Sequence, residues 1–410
     1  MATYRIGNQV YDADSAELQR LLAQVHADKG RPLCCCRTPG VEMYVAKANG
    51  KFIIKRMPDS GGEHTPTCDS YEPPPELSGL GQVMGTAIQE DPEEGVTALK
   101  LDFSLSKSAG RSAPVPTGTE VDSVKTDGTK LSLRSLLHLL WEGAGFNRWS
   151  PAMVGKRSWY VIRKHLLTAS EDKAAKGSSL HDVLFVPETF NLERKEEINQ
   201  RRLAQMMRIA APQKGTRRLM VAIGEVKEIT QARFGHKVVL KHLADCPLML
   251  NDDLHKRLLK RFEIELGLWD AIEGTHLVMI GTFGVGTNGI ASLEEVALMN
   301  VTEHWIPFES TFDKMVLDAL THDHRRFVKG LRYNLPSTKP LACAVLSDTT
   351  PPAALYVIPP NSTDEYQQAV EGLIADSKLV SWTWMAGTSE MPPLPQPGAV
   401  AVAEPQAAAA

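Results

Sequence analysis

The hydrophobic and polar positions of the first 75 residues predict a short strand, a helix and a hairpin. The strand spans residues 4–10, and an amphipathic helix capped at Asp14 or Ser15 follows it. Two strands at residues 42–46 and 52–55 flank an Ala-Asn-Gly turn, which favours a hairpin. The apolar face of the helix carries Leu18, Leu21, Leu22 and Val25.

After residue 75, stretches in which apolar residues have the spacing of a helix alternate with stretches that have the spacing of a strand. The last 22 residues are rich in proline and alanine and predict disorder. The stretch 104–130, rich in Ser, Thr, Gly, Lys and Pro, predicts a linker or mobile loop. We therefore predict an α+β protein of several domains, with a small N-terminal module, a mixed helix and β middle, and a C-terminal α/β domain. Helices are predicted at 131–141, 159–167, 192–209 and 254–266, and strands at 218–225, 237–241 and 276–283.

The composition limits which class of protein this can be, but it identifies no binding partner. The chain has 410 residues, of which 43% are apolar and 23% charged, with a net charge of −4. This length suggests two or three domains. No apolar run approaches the roughly 20 residues that span a bilayer, and the first residues lack the apolar core of a signal peptide. We therefore expect a cytoplasmic protein with no membrane partner.

Four side chains near the N-terminus have the spacing of a metal site. The pattern is Cys34-x-Cys36 followed by His64-x3-Cys68, and these ligand types complete a tetrahedral zinc site with no position open for water. We predict a structural Zn²⁺ held by these four residues, because a module this small needs such a support. Cys35 either replaces a neighbour or points away. The alternative is a run of reduced cysteines beside a surface histidine.

Residues 147–218 carry a local net charge of +8, with 15 Lys or Arg and 7 Asp or Glu. Aromatic residues lie between these charges, which favours contact with DNA or RNA. The alternative is a solvated helical face with tryptophans in the core. The residues predicted to contact phosphate are Lys156, Arg157, Arg163, Lys164, Arg201 and Arg202.

The glycines of Gly284-Val-Gly286-Thr-Asn-Gly289 match the fingerprint of dinucleotide-binding proteins. A true fingerprint opens a helix within alternating strands and helices, whereas this neighbourhood is rich in strands. A glycine-rich β-turn is the better interpretation, and we expect no nucleotide cofactor.

Ten short segments along the chain carry a resemblance to a known family: Pro32–Gly40, Lys55–Pro58, His64, Cys68, Ser70–Pro74, Gly235–Lys237, Lys241–His242, Gly281–Gly284, Trp305–Glu309 and Lys329–Asn334. They resemble bacterial proteins grouped as domain-of-unknown-function family 1173. The resemblance covers nearly the whole chain, and it implies a setting on bacterial integrative or plasmid elements, with proteins of the same element as further partners. It implies no activity.

The C-terminal order of elements resembles the restriction-endonuclease-like fold. There, a helix glutamate precedes a hairpin whose acids hold Mg²⁺ and whose lysine positions water. Glu309 and Asp348 fall where the first two acids would lie, but the strand at 354–356 lacks both the acid and the lysine. This favours a degenerate domain. The alternatives are an active nuclease with displaced residues or an unrelated α/β domain, in which Asp348 is an ordinary turn residue.

The leading hypothesis is a non-catalytic, zinc-containing, nucleic-acid-associated accessory protein of a bacterial mobile element. A metal-dependent nuclease using Glu309 and Asp348 is one alternative, and a protein–protein scaffold is another. The predicted ranges are a zinc-binding N-terminal module (1–75), a partly ordered connection and linker (76–130), a basic helical region (131–218), a β-rich region (219–305), a nuclease-like α/β domain (306–388) and a disordered tail (389–410).

Overall fold

A computed structural model describes residues 2–48, 50–107, 128–210 and 215–398 of the chain. Most of the predicted linker, residues 108–127, lies outside these ranges, as do Asn49 of the predicted hairpin turn and residues 399–410 of the predicted tail.

The described residues form both strands and helices, so the mixed α+β class is confirmed. The strands are β1 (Thr3–Ile6), β2 (Gln9–Asp12), β3 (Leu33–Cys34), β4 (Val41–Ala48), β5 (Lys51–Arg56), β6 (Ile88–Asp91), β7 (Val96–Leu99), β8 (Ser106–Lys107), β9 (Arg148–Trp149), β10 (Lys173–Ala175), β11 (Ser178–Ser179), β12 (Leu184–Phe185), β13 (Arg217–Arg218), β14 (Met220–Gln231), β15 (His236–Leu240), β16 (Leu248–Leu250), β17 (His276–Val285), β18 (Ala291–Val301), β19 (Pro307–Phe308), β20 (Phe327–Lys329), β21 (Ala344–Leu346), β22 (Ala353–Ile358) and β23 (Val380–Met385). The helices are α1 (Ala16–Ala27), α2 (Leu133–Gly143), α3 (Trp159–Ser170), α4 (Leu180–Val183), α5 (Lys195–Met207), α6 (Asp252–Arg261), α7 (Glu263–Ala271), α8 (Thr311–His322) and α9 (Asp364–Ser377).

The N-terminal strands form one sheet with the order β2-β1-β3-β4-β5. Helix α1 lies against it, and Leu18, Leu22 and Val45 form a buried cluster between them. Ser15 rather than Asp14 is the cap, since its hydroxyl oxygen accepts the N–H of Leu18 at 3.2 Å. The sheet places the end of β3 beside the β4–β5 hairpin.

The middle of the chain contains five strands that close on themselves. The first half of β14 pairs antiparallel with β17 and its second half with β15, with a shift of register between Val226 and Glu228. Strand β16 pairs antiparallel with β15 and parallel with β18, and β18 pairs antiparallel with β17. Helices α6 and α7 connect β16 to β17. These pairings form a barrel in the order β14-β15-β16-β18-β17, which returns to β14.

The C-terminal elements follow the order α8-β20-β21-β22-α9-β23. Strands β20, β21 and β22 are successively antiparallel, whereas β23 pairs parallel with β22 after α9 crosses over. Strand β9 comes from residues 148–149, far away in sequence, and pairs with the outer edge of β20. The sheet order is therefore β23-β22-β21-β20-β9.

The described part of the predicted disordered tail, residues 389–398, lies ordered against this sheet. The indole N–H of Trp384 donates to the carbonyl of Ser389 at 3.0 Å, and that of Trp382 donates to Pro393 at 3.1 Å. Farther along, the carbonyl of Pro395 accepts from Arg325 at 2.5 Å. Proline-rich composition suggested disorder, but these donors give the segment fixed partners.

The division into the six predicted ranges stays a prediction. One apolar core cluster contains residues from Val83 to Tyr333, so it joins four of those ranges. Within the described ranges, the helices are too short or too polar to cross a lipid bilayer.

Candidate metal centre

Two short segments bring the four predicted zinc ligands together. Cys34 ends β3, and Cys36 follows it by two residues. His64 comes directly after the 3₁₀ turn Gly61–Glu63, and the N–H of Cys68 donates to the carbonyl of Thr65 at 2.9 Å. A Cβ atom at Gly61 would lie 2.6 Å from the Cβ of Glu72, so only glycine lets the chain fold back this closely.

The ligand atoms have the separations that a tetrahedral ion requires. All four lie within 4.8 Å of one another. The sulfurs of Cys34 and Cys68 are 3.7 Å apart, and Nδ1 of His64 is 3.4 Å from the sulfur of Cys36 and 3.7 Å from that of Cys68. Bonds of about 2.3 Å to sulfur and about 2.0 Å to nitrogen give tetrahedral edges of about 3.8 Å between two sulfurs and about 3.5 Å between sulfur and nitrogen. This group can therefore hold one metal ion.

Burial shifts the pKa values of ligand side chains at this centre. Cys34 is 2% exposed and His64 is 3% exposed. Burial raises the pKa of the Cys34 thiol to about 12 and also raises the pKa of Cys68. Burial, and then the charge of Arg56, lower the pKa of His64, which favours the neutral ligand form. The buried thiols therefore need a cation to become thiolates, since burial alone disfavours their charge.

The Cys35 thiol and the second imidazole nitrogen of His64 lie beside the four ligand atoms. The sulfur of Cys35 points toward the carbonyl of Leu33 at 3.7 Å, so Cys35 lies outside the four-residue group. The second imidazole nitrogen of His64, Nε2, is buried and has no hydrogen-bond partner among the described residues. Nδ1 is thus the nitrogen that faces the three sulfurs.

The guanidinium of Arg157, one of the predicted phosphate contacts, donates hydrogen bonds to backbone carbonyls inside the protein. Its guanidinium donates to the carbonyl of Phe146 at 3.0 Å, to that of His304 at 3.1 Å and to that of Arg148. Burial lowers its pKa to about 10. Arg157 therefore joins the turn before β9 to the turn before β19.

Three more of the predicted arginines also have protein partners. Arg163 donates to the carbonyl of Val186 at 3.0 Å. Arg201 forms two bonds of 2.8 Å with Glu188, and Arg202 contacts Asp245 at 2.7 Å.

The two remaining cations of the predicted set, Lys156 and Lys164, are exposed. Their side chains form no hydrogen bond or ion pair with the part of the chain that the structure describes. The nucleic-acid contact predicted for all six residues stays a prediction, and four of them would have to leave these partners to bind phosphate.

The two predicted nuclease acids are each paired with arginine. Glu309 accepts from Arg332 at 2.6 Å, and although burial opposes it, Arg332 and then Lys329 lower the pKa of Glu309 to about 2. Asp348 accepts two bonds from Arg325, at 2.8 and 3.0 Å, and the N–H of Arg326 at 2.8 Å. Among the described residues, the only group of three or more His, Cys, Asp or Glu side chains that could hold a metal ion is the N-terminal centre.

The sequence reasoning missed an exposed aromatic residue on the barrel. Phe234 lies in the turn between β14 and β15 and is 78% exposed, with the guanidinium carbon of Arg233 5.5 Å from its ring centre. The available signal was an aromatic residue between arginine and glycine in a turn that joins two strands. The ring of Phe234 therefore lies outside the apolar core, in contact with the charge of Arg233.

The comparisons with known proteins give a family but no activity. A family model described as "Protein of unknown function (DUF1173)" matches residues 4–387. No curated protein matches the chain, and no solved structure matches it.

Proposed function

This chain belongs to the DUF1173 family, and we propose that it is a non-catalytic nucleic-acid-binding protein whose N-terminal module is held by one structural zinc ion. The observation that carries this proposal is the convergence of Cys34, Cys36, His64 and Cys68 within 4.8 Å. Three thiolates and one imidazole are soft ligands that suit Zn²⁺, and four protein ligands leave no position for a reacting water.

The zinc ion would hold a loop that connects the module to the rest of the chain. Immediately after Cys68, the carbonyl of Tyr71 accepts from Arg148, and Glu72 forms an ion pair with Arg56. A little farther on, the carbonyl of Leu77 accepts the N–H of Ala342 at 2.8 Å, next to β21. Binding of the ion would therefore also stabilise the contacts between the N-terminal sheet and the C-terminal sheet.

The barrel supports the nucleic-acid part of the proposal. Its strand order, the parallel pairing of β16 with β18 and the helices between β16 and β17 resemble the OB-fold barrel. Barrels of that type bind oligonucleotides and oligosaccharides. We extend the proposal to an accessory role on a bacterial mobile element, with proteins of the same element as further partners.

Metal analysis tests the zinc. We expect about one zinc ion per chain in the purified protein and much less in Cys36→Ser, whereas Cys35→Ser should keep its zinc because its sulfur points away. Because Cys36→Ser is expected to fold poorly, Co²⁺ substitution in the wild-type protein gives a second measurement through its thiolate absorption bands. A wild-type protein with no metal after zinc-supplemented expression, and no such bands, would contradict the proposal.

Fluorescence anisotropy with labelled single-stranded and duplex oligonucleotides tests nucleic-acid binding. We expect binding at low salt that weakens linearly in log affinity against log salt concentration, because phosphate contacts release counterions. No binding to DNA or RNA at 50 mM salt would remove this part of the proposal. It would leave the protein–protein scaffold, to be tested by pull-down of a partner that resists nuclease treatment.

The order α8-β20-β21-β22-α9-β23 favours the metal-dependent nuclease as the second candidate, because it resembles the restriction-endonuclease-like core. The pairing of Glu309 with Arg332 and of Asp348 with Arg325 weighs against it. We expect no cleavage of DNA with Mg²⁺ or Mn²⁺. Cleavage that disappears in Asp348→Ala would favour the nuclease instead.

A further inference from the structure

We infer that the C-terminal sheet carries a groove for proline-rich segments of other proteins, formed by Trp382, Trp384 and Arg325. Residues 389–398, the strap, occupy this groove in cis and show which ligand it fits. That ligand is an extended segment in which an apolar residue followed by proline recurs every third residue. A proline-rich segment of a partner protein takes the place of the strap when the strap leaves.

The strap runs back along β23 after a tight turn. The N–H of Ser389 donates to the carbonyl of Met385 at 3.1 Å, which reverses the direction of the chain. Trp384 then contacts the beginning of the strap at Ser389, whereas Trp382, two residues earlier on β23, contacts Pro393. The strap is therefore antiparallel to β23, and two indole groups of that strand hold it.

Exposure along the strap repeats every three residues. The pairs Met391–Pro392 and Leu394–Pro395 are half-buried, whereas Pro393 and Gln396, which follow them, are exposed. A polyproline II helix has about three residues per turn, so this pattern places two residues of each turn against the protein. Four of the ten strap residues are proline, which favours that conformation. Proline-rich ligands of this pattern bind in grooves lined by aromatic side chains.

Aromatic side chains from two elements line the groove. Trp382 and Trp384 are both buried and lie two residues apart on β23, so they point to the same side of the sheet. Phe312 of α8 lies edge to face with Trp384, with 5.6 Å between their ring centres. Met391 and Leu394 of the strap pack against the apolar cluster that contains both tryptophans. The apolar residue of each pair is thus an anchor in this groove.

The hydrogen bonds of the groove are directed at the backbone of the ligand. Trp382, Trp384 and Arg325 donate to three carbonyl oxygens of the strap, at 3.1, 3.0 and 2.5 Å. Proline removes backbone donors but keeps the carbonyl acceptors, so a proline-rich segment needs donors supplied from outside. These contacts recognise a backbone that any such segment carries, and side-chain selection is left to the two apolar positions.

The strap is attached in a way that permits exchange. Strands β20 to β23 pair with one another without it, and both its ends, Ser389–Glu390 and Gln396–Gly398, are exposed. Its departure would leave two indole N–H groups without partners on an apolar surface, which favours replacement by a segment with the same carbonyls. A tethered segment has an effective concentration on the order of 1 mM, so the strap competes strongly with such a ligand.

Cutting the strap after folding tests whether it can be exchanged. A site-specific protease sequence inserted between Thr388 and Ser389 lets the full chain fold with the strap in place. After cutting and dialysis, we expect the protein to bind a fluorescein-labelled peptide of residues 389–398 at least about 10-fold more tightly than the uncut protein, measured by anisotropy. A cut strap that survives dialysis and excludes the labelled peptide would be an integral part of the fold, and the inference would be overturned.

The proline positions are tested in the peptide. Pro392→Ala combined with Pro395→Ala should weaken binding to the cut protein by about 4- to 30-fold, because the free peptide loses its preformed conformation. The control peptide carries Gln396→Ala and Pro397→Ala, at two exposed positions, and should bind like the unchanged peptide. Equal losses for the two peptides would mean that the groove does not recognise the apolar-proline pairs.

The indole donors are tested in the protein. Trp382→Phe keeps an aromatic ring but removes one hydrogen bond, so we expect the cut protein to bind the peptide about 2- to 13-fold more weakly. The matched control is Trp149→Phe, since Trp149 lies in the same apolar cluster and its indole N–H has no partner among the described residues. Circular dichroism checks that both variants fold. An unchanged affinity in Trp382→Phe would contradict recognition through the carbonyls.

The mass of the uncut protein in solution identifies the source of the ligand. A dimer that becomes a monomer when the strap is cut would show that a second copy supplies the segment, and exchange with a different protein would then be overturned. Peptide binding and oligonucleotide binding are separate measurements, so the groove and the proposed nucleic-acid binding can each fail alone.

Discussion

Two groups of side chains in this protein have the residue types of metal ligands, and their surroundings differ completely. At the N-terminal centre, Cys34, Cys36, His64 and Cys68 face one another. In the C-terminal sheet, Glu309 and Asp348 face Arg332 and Arg325 instead. In the first group, Cys34 and Cys68 need an added cation to charge their thiols, whereas the second group already has protein cations. The comparison shows that the neighbour of a ligand-type side chain decides whether it can bind an ion.

The metal centre and the ion pairs of the C-terminal sheet also differ in how they contribute to the stability of the fold. A metal centre contributes its binding free energy only while the ion is bound, so the stability of its surroundings depends on metal concentration. A buried ion pair contributes at all times, and its loss leaves one charge buried without a partner. Four measurements, taken from the largest expected effect to the smallest, test this contrast.

Removal of the metal should have the largest effect. Structural zinc centres have apparent binding free energies on the order of 10 kcal/mol, so treatment with a strong chelator should unfold the loop around the ligands. In hydrogen exchange followed by mass spectrometry, residues 33–72 should lose protection, and residues 344–358 should keep theirs. Equal protection of both segments in the metal-free protein would contradict the expectation that the stability of the N-terminal centre, unlike that of the C-terminal sheet, depends on the ion.

Arg325→Met should have the next largest effect. Arg325 has a side chain only 4% exposed and holds Asp348, so its loss leaves a buried carboxylate without its cation. We expect the free energy of unfolding in urea to fall by about 3–5 kcal/mol. The control is Arg326→Met, whose side chain is exposed and whose backbone N–H still reaches Asp348. A change below about 0.5 kcal/mol is expected there.

A third carboxylate, Glu142, sharpens the contrast because its hydrogen-bond donors are neutral. Its partners are the hydroxyl of Tyr333 and the amide of Asn147, and burial, with the nearby charge of Glu72, raises its pKa from 4.5 to about 7. The folded state therefore binds more protons than the unfolded state between about pH 4.5 and pH 7. Stability should fall as the pH rises through this window, by about 2–3 kcal/mol.

Glu142→Gln removes the titration and isolates this effect. In urea unfolding measured between pH 4.5 and pH 8, the variant should show a flatter dependence on pH than the wild-type protein. Parallel curves for the two proteins would mean that Glu142 titrates normally in the folded state.

Glu309→Gln should have the smallest effect. The carboxylate pairs with Arg332, but its side chain is 39% exposed, so water screens the interaction. We expect a loss of about 1 kcal/mol near neutral pH. The pKa of Glu309 is lowered to about 2, so its contribution is present above pH 4.5 and is lost as the pH falls toward 2. A loss of several kcal/mol would show that this pair behaves like a fully buried one.

Local features of the structure could be predicted from the sequence. The strands β4 and β5 contain the predicted ranges 42–46 and 52–55 and pair as a hairpin, and the glycines at 284, 286 and 289 lie in or beside the turn of the β17–β18 hairpin. The four metal ligands could be found because their spacing is short, and each pair sits on one local segment. Ligand identity and geometry are encoded within a few residues of each other there.

Features that depend on distant residues could not be predicted. The barrel closes because β14 pairs with β17, whose residues lie more than 50 positions away in sequence, and periodicity carries no signal for such pairing. Charge patterns also do not reveal that the guanidinium of Arg157 donates to the carbonyl of His304 in the fold. Helix 254–266 is two helices, because the backbone at Phe262 (φ −118°, ψ 30°) leaves the helical conformation between them.

The pairing of β9 with β20 has a practical consequence for dissecting the protein. A fragment that begins near residue 306 would contain β20 to β23 and lack Arg148 and Trp149. It would then present the hydrogen-bonding groups of β20 as a free strand edge, which favours self-association. Recombinant pieces of this chain should therefore start before residue 148, and a soluble C-terminal piece would need that short strand supplied on a separate peptide.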